Sequence, residues 1–269
     1  MSDRPILQSA LPFAPWADPR TRRLPGILPM EPGDWLRVDD AFAAQMAERD
    51  RLIVERCAAV HALSERGRAA AEELLDAVIA DVTAKPGYRV TPGAITRPDG
   101  VTVAVDRAQP LLTAGRLVQE DLCLLEKAPG EDEHILTGAI LCFPASWTLA
   151  EKFLKPLIAI HVPVSVYDDD IARRVQRLFD AIRPGQGLWR ANALLYADPT
   201  LHHPRTEAAP RVKPVGEAPF IRSERQGLVR LPVTQAVVFS IHTYLIRKES
   251  LTPDQAQALV DFPIHRAGG

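Results

Sequence analysis

Hydrophobic and polar positions in the first third of the chain alternate at helical spacing. Phe42, Met46, Ile53 and Cys57 follow Asp39 and Asp40, which suit a helix N-cap. Leu74, Leu75, Val78, Ile79 and Val82 form the apolar stripe of a second helix, ended by Pro86-Gly87. Residues 93–105 read as loop and short extended structure, with Pro98-Asp99-Gly100 as a turn. Pro110 suits the first turn of a helix running to residue 120.

Short β-prone runs follow at 121–125 and 135–143. A helix is expected over 148–158, capped by Ser146 or Thr148, and another over 167–182. The latter carries Asp168, Asp169 and Asp170 in its first turn, where carboxylates suit the helix dipole. The last third reads mostly as strand: 188–196, then 220–231 and 236–246, joined by Pro232-Val233-Thr234-Gln235. Thr252-Pro253-Asp254 opens a final helix. This pattern predicts about five strands in an antiparallel sheet, with helices segregated to one face, an α+β architecture. There is no regular strand–helix alternation, no GxGxxG and no GxxxxGK[ST], which argues against a Rossmann sheet or a nucleotide-binding loop.

Composition narrows the function classes. Hydrophobic residues make up 46% of the 269 positions and charged residues 25%, enough for one sizeable core. A formal net charge of -2 gives no electrostatic footprint for nucleic acid or an anionic membrane surface. No apolar run approaches the length of a membrane span. Cys57, Cys123 and Cys142 form no CxxC pair, so they read as reduced, buried small hydrophobes of a cytoplasmic protein. The 24 prolines concentrate in the first thirty-odd residues and between 199 and 219. Residues 1–32 therefore read as an extended arm over a single domain, 33–269, and 199–219 as a long loop.

A few side chains could carry chemistry. His242 shares a strand face with Val238, Ser240, Tyr244 and Ile246, so it reads as a surface or hydrogen-bonded histidine, at a wet edge or in a polar pocket. Arg225 is the charged member of the apolar row Ile221, Ser223, Gly227, Val229 and Leu231. A guanidinium there needs an anion: an internal carboxylate such as Glu120 or Asp121, or that of a ligand. His161 lies between Leu157-Ile158-Ala159-Ile160 and Val162-Pro163-Val164, the setting of a core histidine or of a haem ligand in an aliphatic sleeve. His61, His134 and the His202-His203 pair read as surface positions, the pair without zinc-ligand spacing.

Five segments then stand in a familiar order: 119–125 (Gln119-Glu120-Asp121 onward), Cys142-Phe143-Pro144-Ala145-Ser146-Trp147 with Lys152, Ile160-His161-Val162-Pro163-Val164, 224–232 with Glu224 and Arg225, and 239–244 with His242. Together they resemble the haem-dependent oxidative N-demethylase family. The resemblance implies a PAS-like antiparallel sheet enclosing haem b. It implies demethylation of a small secondary amine such as dimethylamine with O2, releasing formaldehyde. Electrons would come from NADPH through a separate flavin or iron–sulfur reductase. It makes His161 the expected axial ligand, with His242 as the alternative, Arg225 the propionate partner, and Lys152 and Trp147 neighbours of the pocket. Glu120, Asp121 and Glu224 are the candidates for holding the amine. A haem sensor or a non-catalytic interaction subunit on the same fold is the alternative. The chain departs from the family pattern at Ser165, at Arg190-Ala191-Asn192-Ala193, and at His242, where arginine is expected.

Overall fold

The computed structural model describes residues 5–23, 25–161, 169–209 and 216–265, with only the backbone described at 161 and 169–173. Among the described residues the elements run α1 (Pro19–Arg22), β1 (Leu28–Pro29), α2 (Phe42–Glu55), α3 (Cys57–Val60), β2 (His61–Leu63) and α4 (Arg68–Thr83). Then come β3 (Arg89–Thr91), β4 (Ala94–Thr96), β5 (Thr102–Ala104), α5 (Pro110–Gly115), β6 (Asp121–Glu126) and β7 (Ile135–Ile140). The rest are α6 (Leu149–Lys152), α7 (Leu157–His161), α8 (Asp169–Ala181), β8 (Leu188–Tyr196), β9 (Phe220–Arg230), β10 (Val237–Arg247) and α9 (Pro253–Asp261).

The fold is α+β. Its main sheet has seven strands in the order β1-β8-β9-β10-β6-β7-β2, and all neighbours are antiparallel. The five strands read from the sequence are its contiguous centre, β8-β9-β10-β6-β7. Expectation fell short at the edges: β1 and β2 span two and three residues, too short to leave a periodic signal. Residues 93–105, read as loop and short extended structure, fold with 89–91 into a second sheet of three short strands.

Helices cover both faces of the main sheet, not one. On the first face, Leu52 of α2, Leu74, Leu75 and Val78 of α4, and Leu111 and Ala114 of α5 share a core with Leu122, Leu124, Ile140 and Val238 of the strands. On the second, Leu149, Leu157 and Phe179 from α6, α7 and α8 meet Cys123, Leu125, Leu228, Val237 and Ile241. β9 and β10 are thus buried almost throughout. The N-terminal arm and α9 close the far end, where Leu11 and Trp16 pack on Ile221, Tyr244 and Ile246.

Local chemistry shortened two predicted helices. α5 stops at Gly115, where the helix presses on the sheet: a Cβ there would lie 2.5 Å from Ile140 Cγ1. The run 148–158 splits into α6 and α7 because Pro156 lacks an N–H and disfavours a helical residue before it. Residues 154–157 instead pair with the start of β7: Leu154 N donates to the Leu136 carbonyl and Leu157 N to that of His134. Asp39 does not cap α2 directly; its carboxylate takes the N–H of Ala41, the N-cap residue. The capping box at Thr252 and Gln255 opens α9 where the sequence put it.

The start of α4 meets β7 at a backbone contact. A Cβ on Gly67 would lie 2.7 Å from the Thr137 carbonyl oxygen, which a side-chain rotation cannot relieve. Gly67→Ala is expected to destabilise the protein by about 1–3 kcal/mol. Urea unfolding checks this, with a lower midpoint at unchanged slope as the expected result.

Candidate functional site

Gln119, Glu120 and Asp121 are consecutive, buried and polar, at the entry to β6. Gln119 Nε2 donates to Asp39 Oδ1 (2.8 Å) and to Gln45 Oε1 (3.0 Å). Glu120 Oε1 accepts from the Arg37 N–H at 2.8 Å and from His242 Nδ1 at 2.9 Å. Asp121 accepts from Arg49 Nη1 at 2.6 Å and from the N–H groups of Cys142 and Phe143 at 2.7 and 2.9 Å. His242 is fully buried, with its other ring nitrogen 3.0 Å from Asp39 Oδ2. Both imidazole nitrogens therefore face carboxylate oxygens, and each needs a proton to donate. Burial opposes that charge, but the Glu120 carboxylate and the hydrogen bonds to Asp39 and Glu120 outweigh it and raise the pKa to about 9. His242 is an imidazolium inside a structural network, not a wet-edge histidine.

Strand register decides what shares a face. In an antiparallel pair, directly opposed residues project to the same side. Ala191, Arg225 and His242 are opposed across β8, β9 and β10, and so are Arg190, Gln226 and Ile241. Arg225 therefore lies on the first face with His242. Its anion is Asp34, not Glu120 or Asp121: Nη2 donates to Asp34 Oδ2 at 2.9 Å and to the Asp34 carbonyl at 2.8 Å. The guanidinium also sits 5.1 Å from the Trp189 ring centre. α7 packs on the other face, so the structure separates Arg225 from the segment that ends in His161.

The second face offers a different surface. Leu188, Leu228, Phe239 and Ile241 form an apolar floor, approached by Ile160 and Leu157 of α7 and by Trp147. A polar margin adjoins it. Asn192 Nδ2 and Gln226 Nε2 donate to Glu224 Oε2 at 3.2 and 3.3 Å, and Arg222 lies 3.5 Å from Glu224 Oε1. Arg190, opposite Gln226, makes no hydrogen bond or ion pair among the described residues, and its buried Nε has no partner. Burial lowers its pKa, against the pull of the Glu224 charge.

Lys152 is buried; its Nζ donates to the Ile160 carbonyl at 2.7 Å and to Glu207 at 2.6 Å. It ties α6 to the residue before His161. His161 ends α7, while its side chain, residues 162–164, Ser165 and Asp168 lie outside the described residues. His134, expected at the surface, is buried: Gln176 reaches its Nδ1 at 2.8 Å, and burial lowers its pKa to about 4. His61 and the His202-His203 pair are half-buried, and His202 Nδ1 donates to the Cys142 carbonyl at 2.8 Å. The proline-rich loop packs there along 144–146, with His203 N–H on the Pro144 carbonyl at 3.1 Å. Cys123 and Cys142 are buried as expected, and Cys57 is half-buried.

Sequence reasoning missed Arg190 as a site residue. Its signal was a charge in a β-prone, otherwise apolar run, but only the register shows which side chains it meets. No helix among the described residues is long and apolar enough to cross a membrane.

The His242 network sets a pH window. The folded pKa of about 9 stands above the free value near 6.5, so the stabilisation is complete below about pH 6.5 and is lost as pH rises through about 9. The hydrogen bond from His242 overcomes burial and lowers the Asp39 pKa, so that carboxylate's share is lost at the acid end instead. His242→Leu strands the buried Glu120 and the half-buried Asp39 and is expected to cost about 3–5 kcal/mol at pH 6. Urea unfolding at pH 6 and pH 9 checks both points: the wild type weakens across this interval and the variant loses less.

One comparison with known proteins covers both faces of the sheet. A family model described as "Haem-dependent oxidative N-demethylase, alpha subunit-like" matches residues 26–262, almost the whole chain, including the entry to β6, α6, α7 and the three strands that carry the floor and its polar margin. The chain belongs to the haem-dependent oxidative N-demethylase alpha-subunit-like family.

Proposed function

We propose that this chain is the haem-holding subunit of an oxidative N-demethylase acting on a small secondary amine such as dimethylamine. The observation that carries the reading is an apolar floor bordered by an unpartnered cation on the second face. A flat macrocycle with acidic edges needs those two surfaces together. Half-buried Leu188 and Phe239, backed by Leu228 and Ile241, would meet the ring, and Arg190 suits its acidic edge. His161, the last residue of α7, is our assignment for the axial ligand. Leu157 and Ile160 seat that helix on the floor, and Lys152 holds the Ile160 carbonyl. Lys152 is thus a positioning residue, and Trp147 helps to keep water from the apolar side.

Bound haem b supplies the iron centre at which dioxygen is reduced and the N-methyl group oxidised to formaldehyde. The amine is a cation at neutral pH and needs an acceptor. Glu120 and Asp121 are committed to His242 and Arg49 inside the fold. Glu224 borders the second face and is our assignment for the ammonium group. The two electrons per turnover come from NADPH through a separate flavin or iron–sulfur reductase. The family's alpha-subunit description favours such an assembly.

Absorption spectra of wild type and His161→Ala, each offered excess haem, test the reading. A Soret band that is lost or shifted in the variant is expected. Formaldehyde should then appear when dimethylamine, NADPH and a reductase are supplied. A Soret band without turnover would make the chain a haem sensor or carrier. Folded wild type without a Soret band would leave an interaction subunit.

A further inference from the structure

We propose that Arg190 is the anchor for a carboxylate of the bound cofactor, a haem propionate, on the second face of the sheet. The inference rests on the haem reading above and deepens it. Its starting point is a contrast among the arginines inside the fold. Arg49 pairs with Asp121, Arg97 with Asp50 and Asp99, and Arg225 with Asp34. Arg222 donates to the carbonyls of Leu201 and Phe143, and Arg230 to those of Ile182 and Phe179. Arg190 alone in this group engages no acceptor among the described residues, although its Nε is buried.

A guanidinium carries five donors and stays charged. The Arg190 Nε is withdrawn from water without an acceptor, which is unfavourable, and burial lowers its pKa, while the half-buried side chain leaves the rest of the guanidinium open to a ligand. Glu224 attracts Arg190 through space but makes no hydrogen bond or ion pair with it; its oxygens face the neutral amides of Asn192 and Gln226 and, at 3.5 Å, Arg222. The margin therefore carries a half-buried cation with no protein acceptor among the described residues.

Its position says what kind of anion. Arg190 follows Leu188 by one alternation of β8, and Leu188 belongs to the apolar floor with Leu228 and Ile241. A ligand that meets both must be apolar over its body and carboxylate-bearing at its edge. An inorganic anion would leave the half-buried Leu188 and Phe239 without an apolar partner, and an alkylammonium belongs at Glu224 rather than at a guanidinium. Arg225, on the opposite face and held by Asp34, is structural in this account.

The test compares haem b with haem dimethyl ester, whose propionates are neutral. Soret titrations of the whole chain should show wild type binding haem b at least about tenfold tighter than the diester, the scale of a charge-assisted hydrogen bond. Arg190→Gln should erase that preference and speed haem loss to apomyoglobin, while Arg190→Lys keeps part of it. Without haem, Arg190→Gln should melt at or above the wild-type temperature, since it removes an unpaired, half-buried charge. A preference retained in Arg190→Gln overturns the anchor and leaves haem binding intact. So does a haem-free variant that melts well below wild type, which would mean Arg190 serves the fold. Wild type that takes up neither porphyrin removes the haem reading, and the anchor falls with it.

Discussion

Two buried carboxylates at the entry to β6 have to be satisfied, and much of the architecture follows from how that is done. Glu120 and Asp121 cannot stay ionised in the core without cations. Asp121 draws Arg49 from α2 and holds the backbone of residues 142 and 143 as the chain leaves β7. Glu120 draws His242 from β10 and the Arg37 backbone from the N-terminal segment. Asp39, with Gln8 and Gln119 on its oxygens, closes the other side of His242. One short stretch thus ties four distant parts of the chain to the point where β6 stops covering β10.

That commitment gives the two faces of the sheet different work. The first face is filled with paired charges and with the helices α2, α4 and α5, and it holds Arg225 through Asp34. The second keeps an apolar floor, a polar margin and the helix that ends at His161. A one-residue step in β9 separates Arg225 from Glu224, and it is enough to send one to structure and the other to the candidate site.

Legibility in the sequence followed the strength of each local signal. β8, β9 and β10 are long and apolar, and they were read to within a residue of their ends. The edge strands β1 and β2 depend on partners far along the chain, so no window of sequence displays them; the strands of the small sheet pair locally but span three residues each, too short for a periodic signal. His134 looked exposed because its neighbours are charged and turn-forming, yet α8 folds over it and Gln176 takes its ring. The order of five short segments carried the family even though no single segment did.

By itself the sequence determined the α+β class, the five central strands, the family and the list of ionisable side chains that needed partners, because periodicity and residue chemistry are local. Tertiary structure alone decided which partners those were. Arg225 needed an anion from the outset, but Asp34 was as eligible as Glu120 until β9 and the N-terminal segment were brought together. Arg190 could be counted as one more strand charge until the buried arginines had found their acceptors and it had not. Pairing is a property of register and distance, and neither exists until the chain is folded.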